Sequence, residues 1–194
     1  MSASANREHT AIAVRPYTEL DAANTLAIFI AAVTETASAD YTAEQTEVWA
    51  DINARDLRSW GRATAARNSF VATIDDEVAG FSDVGTTGYI DMMFVAPRFL
   101  RRGVARQLLE HGEALARKAG ARALTADVSI TARPFFERFG FVVTAEQHPV
   151  KRGVELTNFA MLKPLPQSAL TVSEVTAGSA VTGRRNPLFA ARDS

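Results

Sequence analysis

The feature that most constrains the fold is an apolar run that ends in a basic, glycine-containing loop. Residues 90–95 form the run, Pro97 interrupts it, and Arg101, Arg102 and Gly103 follow. An amphipathic segment begins directly after the glycine, so the pattern predicts a strand, a short loop and a helix. The first turn of a helix presents free N–H groups and the positive end of the helix dipole. The sequence therefore predicts an anion site at this junction, suited to phosphate groups.

Two sequence motifs indicate which kind of phosphate ligand this loop would bind. The loop lacks Gly-Lys-Ser/Thr and the G-x-G-x-x-G pattern. It resembles the acetyl-CoA pyrophosphate loop of the GCN5-related N-acetyltransferases (the GNAT superfamily), Gln/Arg-x-x-Gly-x-Gly/Ala, which here is residues 100–105, LRRGVA. Residues 132–141, ARPFFERFGF, are similar to the second family signature, a short helix that ends in Gly-Phe. The resemblance covers roughly residues 11 to 165.

The resemblance implies where acetyl-CoA would bind. Backbone groups of three strand residues would bond the pantetheine arm: Met93, Phe94 and Val95. Main-chain N–H groups of the loop and first helical turn would hold the pyrophosphate: Arg101, Arg102, Gly103, Val104, Ala105 and Arg106. Leu100 stands where the family has Gln or Arg. Ser129 stands where many relatives carry an asparagine that bonds the arm, and its alternative role is in a helix N-cap region.

Phe136 occupies the position of a tyrosine whose hydroxyl, in many relatives, protonates the leaving thiolate. Phenylalanine has no such proton, so either the thiolate leaves unassisted or another group donates. A thiol pKa of ~8.5 makes unassisted departure tolerable. Tyr41 is the candidate donor, because its loop between the first two helices borders the acceptor cleft in this fold. The alternative is a plain loop residue.

Asp91 is the acid within the predicted strand of residues 89–95, between apolar neighbours. An unpaired carboxylate is costly to bury, so this one needs a reason. It is predicted to act as general base or ammonium anchor, and the alternative is a structural hydrogen-bond acceptor. Weaker candidates for the base are His148 and Glu155. The acceptor pocket could be walled by Trp49, Trp60 and Tyr41, and the alternative for the two tryptophans is a place in the core.

Composition narrows the classes of function. With 47% hydrophobic and 22% charged residues, the 194-residue chain is typical of one soluble globular domain. The net charge of −1 argues against a nucleic-acid partner. There is no cysteine and the three histidines lie far apart, so no metal site is predicted. We expect no membrane partner and a cytoplasmic location, because no apolar run approaches ~18 residues and the N-terminus lacks a signal core.

The order of predicted elements defines the fold class. A first strand and two or three helices precede three antiparallel strands, at residues 69–74, 78–85 and 89–95; helix, strand, helix and two strands follow. This order predicts an α/β (α+β) fold, a mixed, mostly antiparallel sheet of six to seven strands flanked by helices. The GNAT resemblance implies in addition that the central strand pair is splayed. Residues 11–165 would form the domain, between a flexible N-terminus (1–10) and a mobile tail (166–194).

These observations predict a GNAT-like N-acetyltransferase. It would transfer acetyl from acetyl-CoA to a primary amine of a small molecule or peptide, by direct attack in a ternary complex. Two alternatives stay open: another acyl-CoA as donor, and a CoA-binding regulatory or interaction module without turnover. A homodimer is also left open, and the sequence does not identify the acceptor.

Overall fold

The computed structural model describes residues 11–166. The predictions of a flexible N-terminus over residues 1–10 and of a mobile tail after residue 166 lie outside the described residues. The strands are β1 (Ile12–Pro16), β2 (Phe70–Ile74), β3 (Glu77–Ser82), β4 (Tyr89–Ile90), β5 (Met93–Val95), β6 (Ala123–Ser129), β7 (Val142–Gln147), β8 (Val150–Lys151), β9 (Val154–Glu155) and β10 (Asn158–Pro164). The α-helices are α1 (Ala22–Ala31), α2 (Ala43–Ala50), α3 (Leu57–Ala65), α4 (Val104–Lys118) and α5 (Arg133–Arg138).

The strands form two four-stranded sheets and a small ribbon. One sheet has the order β1-β2-β3-β5, the other has the order β4-β6-β10-β7, and β8 pairs with β9. Every pair is antiparallel except β4 with β6, which is parallel. Because β4 and β5 follow each other directly in the chain but join different sheets, β5 and β6 diverge. The predicted mixed sheet with a splayed central pair is confirmed.

The prediction of one continuous strand over residues 89–95 was wrong. Asp91 and Met92 separate β4 from β5, and their N–H groups donate to Oδ1 of Asp83, at 2.8 and 3.2 Å. A buried side chain thus takes two donors that a strand ladder would use. Asp91 therefore lies at the break between the two half-sheets rather than inside a strand.

The glycine turn before β4 also has a tertiary role. Gly88 has φ of 88°, and a Cβ built on it would lie 2.0 Å from the carbonyl oxygen of Ala123. Only glycine permits both this backbone conformation and this approach. The turn predicted over residues 86–88 therefore delivers the chain to β6 of the second sheet, whereas β3 pairs with β5.

Helix α4 places its N-terminus beside β5. Most of its predicted apolar stripe is buried, at Val104, Leu108, Leu109, Gly112 and Ala116, whereas Leu115 and Ala119 of the same stripe are exposed. It packs on β1, β2, β3 and β5. A Cβ on Gly80 of β3 would lie 3.0 Å from Cγ1 of Val104 and 3.1 Å from Cδ1 of Leu108, so glycine lets α4 pack closely on the sheet.

The other helices bury aromatic side chains, among them Phe29 of α1 and Trp60 of α3, whose rings lie 5.3 Å apart. The helical stretch Glu19–Ala39 is, by length and composition, apolar enough to cross a membrane, which the sequence had not led us to expect. Core helices of soluble proteins pass the same test. Here Ile28, Phe29 and Val33 of this stretch are buried in the core.

Candidate active site

A cavity of about 800 Å³ opens between β5, the start of α4 and α5. This volume is typical of small-molecule sites. Ten of the residues predicted to bind acetyl-CoA line it: Met93, Phe94, Val95, Arg101, Gly103, Val104, Ala105, Arg106, Ser129 and Phe136. Arg102 does not line the cavity, and its guanidinium carbon lies 5.2 Å from the centre of the Phe99 ring.

The loop before α4 has the backbone of an anion site. Gly103 is the N-cap of α4, with φ of 92°, and the first intrahelical bond runs from the Gln107 N–H to the Gly103 carbonyl at 3.1 Å. The N–H groups of residues 104–106, in the first turn of α4, have no partner within the helix, and these three residues line the cavity. A Cβ on Gly103 would meet only Ile12, at 3.5 Å, so glycine is needed here for its φ rather than for protein packing.

Arginine side chains make this end of the cavity cationic. Arg101 and Arg106 were predicted from the loop motif, and Arg138 of α5 joins them in the lining. Sequence reasoning missed Arg138, although it lies within the second signature. Arg106 also pairs with Glu110 through an exposed contact of 2.8 Å between Nε and Oε1.

A second cavity, of about 50 Å³, lies in the gap between β5 and β6. It shares six lining residues with the larger one: Trp49, Met93, Phe94, Ser129, Ala132 and Phe136. The carboxylates of Asp91 and Asp127 line the small cavity but not the large one. The splay of the sheet thus places an acidic cavity directly beside a cavity whose cationic end is suited to phosphate.

Asp91 retains water access, with 22% of its side chain exposed. Its Oδ2 lies 2.9 Å from Nε of Arg67, a partner that sequence reasoning missed. Burial raises the pKa of Asp91 above its usual value; the Arg67 charge opposes this rise, and the Asp127 charge adds to it. A carboxylate that holds a proton more readily than usual, beside a cavity, has the chemistry of a general base.

Asp83, also missed, lies beneath Asp91 at the end of β3. It is 2% exposed, its Oδ1 accepts the two N–H groups at the strand break, and its Oδ2 has no hydrogen-bond partner. Burial raises the pKa of Asp83 to about 7, against the two backbone hydrogen bonds that lower it. The sequence did hold a signal for this buried carboxyl, because Asp83 falls within the apolar strand predicted over residues 78–85.

Asp127 on β6 accepts two neutral hydrogen bonds. The Tyr89 hydroxyl donates to one carboxylate oxygen and the Gln147 amide donates to the other, each at 3.1 Å. Burial, and then the Asp127 charge, raises the pKa of Tyr89 above its usual value. Within residues 11–166 no Lys, Arg or His nitrogen lies within 4.0 Å of the Asp127 carboxylate.

Tyr41 fixes the loop before α2 to the sheet. Its hydroxyl donates to the carbonyl oxygen of Thr157 at 2.5 Å and accepts from the N–H of Ile130 at 3.0 Å. The side chain is buried and lines neither cavity, and burial raises its pKa. Its proton is already bonded to the backbone, which counts against the predicted role as donor to the thiolate.

Of the remaining predicted residues, one lines the cavities and the others lie away from them. Trp49 lines both cavities, while Trp60 lies in the core and donates from Nε1 to Thr25. His148 and Glu155 lie 3.4 Å apart on the exposed surface and line neither cavity.

Phe136 and Ser129 lie where the two cavities meet. Phe136 is buried, contacts Phe141 edge-on, and offers no proton to a sulfur atom. Ser129 Oγ accepts from the N–H of Ala132 at 3.2 Å, so it caps the turn before α5 and also lines the site. Among the described residues no group of three or more His, Cys, Asp or Glu side chains could hold a metal ion.

Comparison with known proteins agrees with this geometry. The model of the acetyltransferase (GNAT) domain family matches residues 37–163. The chain therefore belongs to the GNAT family and is a GNAT-type N-acetyltransferase.

Its relatives include YafP of Escherichia coli (strain K12), an uncharacterized N-acetyltransferase, which is 42% identical over 77% of this chain and 94% of its own. A GCN5-related N-acetyltransferase from Rhodopseudomonas palustris is 35% identical, with a TM-score of 0.75 over 79% of this chain and 95% of that one. The fold is also that of yncA from Salmonella typhimurium, solved with acetyl-CoA, at 23% identity, a TM-score of 0.63 and coverage of 82% and 97%.

Proposed function

We propose that the protein transfers acetyl from acetyl-CoA to the primary amine of a small molecule or peptide, by direct attack in a ternary complex. The observation that carries the proposal is that a helix N-terminus and a carboxylate border two adjoining cavities. The large cavity begins at α4, follows β5, and shares six lining residues with the gap in which Asp91 lies. Acetyl-CoA enters as a substrate and supplies the acyl thioester.

The lining of the large cavity fits this donor. Residues 101–106 would hold the pyrophosphate through main-chain N–H groups and arginine charge, with Arg138 as an additional cation. The backbone of residues 93–95 would bond the pantetheine arm, since β5 has no strand partner on the side of β6. Ser129 and Phe136 would border the thioester end. Holding donor and amine together replaces a bimolecular encounter, which is a large part of the catalysis.

The chemical step begins with an ammonium group, because amines are protonated at neutral pH. Asp91 takes one proton, directly or through water, and the freed lone pair forms the N–C bond to the thioester carbonyl. The C–S bond then breaks, its electron pair leaves with sulfur, and the nitrogen loses a second proton. The products are the N-acetyl amine and CoA thiol, with one net proton released.

The sulfur leaves without a protein acid in this proposal. Phe136 has no proton to give, and the Tyr41 hydroxyl is bonded to Thr157 and Ile130. A thiolate is a tolerable leaving group at a thiol pKa of ~8.5, and water can protonate it after departure.

A second function is a CoA-binding module without turnover, which the missing hydroxyl at Phe136 favours. Another acyl-CoA remains the alternative donor. Three further predictions stand beside the proposal: that residues 11–165 form the catalytic unit, that the protein is cytoplasmic, and that a homodimer is possible. The proposed chemistry depends on none of them. Neither nucleic acid nor a membrane is part of the proposal.

Release of CoA separates these functions. The full chain is incubated with acetyl-CoA and a panel of primary amines, and free thiol is read with a chromogenic thiol reagent. We expect CoA release that depends on one class of amine, with a matching mass increase of one acetyl group on that amine. Tight acetyl-CoA binding by calorimetry with no amine-dependent release would support the binding module instead. Faster release from succinyl-CoA would favour the other donor.

A further inference from the structure

The carboxylate of Asp127 is the group in the acidic cavity that the proposed reaction leaves unused. It is half-buried on β6, it lines the cavity beside Asp91, and both its partners, Tyr89 and Gln147, are neutral donors. A carboxylate that is partly removed from water is stabilised by hydrogen bonds and by a nearby cation, and Asp127 has the hydrogen bonds alone. Asp91 has Arg67 at 2.9 Å, but the part of the chain that the structure describes offers Asp127 no cationic nitrogen within 4.0 Å.

The electrostatics of this pocket are acidic as a whole. Asp83, Asp91 and Asp127 each act on Tyr89 as neighbouring negative charges. Arg67 is the cation that contacts one of them within residues 11–166. A site with this charge repels an acceptor that carries a carboxylate and attracts one with more than one positive charge.

A second polar side chain on the same sheet face also lacks a partner, although it lines neither cavity. Asn158 at the start of β10 is 0% exposed, and neither its amide nitrogen nor its amide oxygen has a hydrogen-bond partner. It is in register with Ser129 on one side and Gln147 on the other. Paired residues share a sheet face, and so do residues two apart, so Asn158 shares a face with Asp127. Buried amides normally have partners.

We propose that the acceptor is a diamine-class molecule, a primary amine that carries a second cationic nitrogen, and that Asp127 binds this second cation. This inference rests on the proposed acetyl transfer and identifies its substrate class. Asp91 takes the proton from the nitrogen that attacks the thioester. Asp127 holds the other ammonium, which keeps its proton and forms no covalent bond. Asp127 is thus a specificity-determining residue rather than the base.

Three acceptors with the same four-carbon chain test the idea on the wild-type protein. They are 1,4-diaminobutane, 1-aminobutane and 4-aminobutanoate, whose far ends are positive, neutral and negative. We expect kcat/KM to fall in that order, by about tenfold or more between the first two, as for one charge-assisted contact. Diamines with one carbon fewer or more cover a different spacing of the two nitrogens.

The variant Asp127→Asn keeps an acceptor for Tyr89 and removes the charge. We expect KM for the preferred diamine to rise about tenfold, and the preference for the diamine over 1-aminobutane to fall by the same factor. Asp76→Asn, in the exposed turn between β2 and β3, changes the net charge equally and should leave both substrates unchanged. Thermal melting of each variant reports on folding, and the wild-type substrate series stands without any variant.

The outcomes separate this inference from the reaction itself. Equal kcat/KM for 1-aminobutane and the diamines, or an Asp127→Asn variant with unchanged selectivity, overturns the second-cation site while acetyl transfer stands. Preference for 4-aminobutanoate overturns it as well. No CoA release with any amine overturns both the proposed function and this inference.

Discussion

At the scale of the residue, a single buried carboxyl shapes the site. Asp83 takes the two N–H groups of Asp91 and Met92, and so holds the break at which the sheet splits. The same burial that makes these bonds strong raises its pKa to about 7. The residue that opens the cavity thereby links the stability of the fold to pH.

The Asp83→Asn variant should reveal that linkage. A carboxyl whose pKa is raised by folding stabilises the native state fully below its unfolded pKa of 3.8, and loses this contribution as pH rises through about 7. Asparagine keeps the acceptor for both N–H groups and cannot ionise. We expect the Tm of the variant relative to wild type to rise by about 5 °C or more between pH 5 and pH 8, from about 2 to 3 kcal/mol of linkage.

Circular dichroism melts across this pH range measure the effect. The matched control is Asp76→Asn, whose parent side chain is exposed in a turn, and its Tm difference from wild type should stay flat. A flat difference for Asp83→Asn as well would mean that Asp83 ionises in the native state as readily as in water.

Asp91 is the residue whose loss should affect the chemical step far more than the binding of the donor. Asp91→Asn keeps shape and removes the base, so kcat should fall by about 10²-fold or more. Acetyl-CoA affinity should stay near wild type, because the donor is proposed to bind in the larger cavity. Higher pH should partly restore the rate, since more of the amine arrives neutral. Steady-state kinetics between pH 6 and pH 9 test this, and a wild-type kcat throughout would make Asp91 structural.

At the scale of the element, the start of α4 combines backbone conformation with charge. Gly103→Glu should lower acetyl-CoA affinity at least tenfold, because it adds a like charge where the pyrophosphate is proposed to bind. Gly103→Ala is the matched control: it has the same backbone strain at φ of 92°, and its Cβ meets only Ile12. We expect both variants to lose a few °C in Tm, from about 1 kcal/mol of strain.

Calorimetric titration with acetyl-CoA compares the two Gly103 variants. Acetyl-CoA affinities unchanged from wild type in both variants would exclude this loop as the pyrophosphate site. A tenfold loss in the alanine variant as well would show that the φ of the glycine matters more than the charge.

At the scale of the whole molecule, the core closes at its C-terminal end on Leu165. This side chain is buried, and its N–H donates to the carbonyl of Arg122 at 2.8 Å. Arg117 also donates to the carbonyl of Pro166, at 2.8 Å. A chain that ends at Pro166 should therefore keep its acetyl-CoA affinity and, within about 2 °C, its Tm.

A chain that ends at Lys163 is the control for this truncation. It loses the buried Leu165, so its Tm should fall by several °C. If the chain that ends at Pro166 melts as low as this control, the segment after Pro166 contributes to the stability of the domain.

Local features of the sequence predicted the order of elements and the anion end of the site. The strand, the loop and the stripe of α4 depend on nearest neighbours along the chain, and so do the free N–H groups at Val104 and Ala105. The same locality explains one error. Residues 89–95 have a strand-like pattern, but the carboxyl that interrupts them is Asp83, outside that window.

The sequence by itself thus determined the GNAT-like architecture and the predicted position of the phosphate cradle, because helix termini and strand periodicity are local properties. Only the tertiary structure decided which carboxylates share a cavity and that the Tyr41 hydroxyl is already hydrogen-bonded to the backbone. Asp91 and Asp127 lie far apart in the chain and meet because β4 pairs in parallel with β6. Tyr41 is hydrogen-bonded to Thr157, which lies 116 positions away in the sequence. Such pairings depend on how sheets and helices pack, which no local pattern encodes.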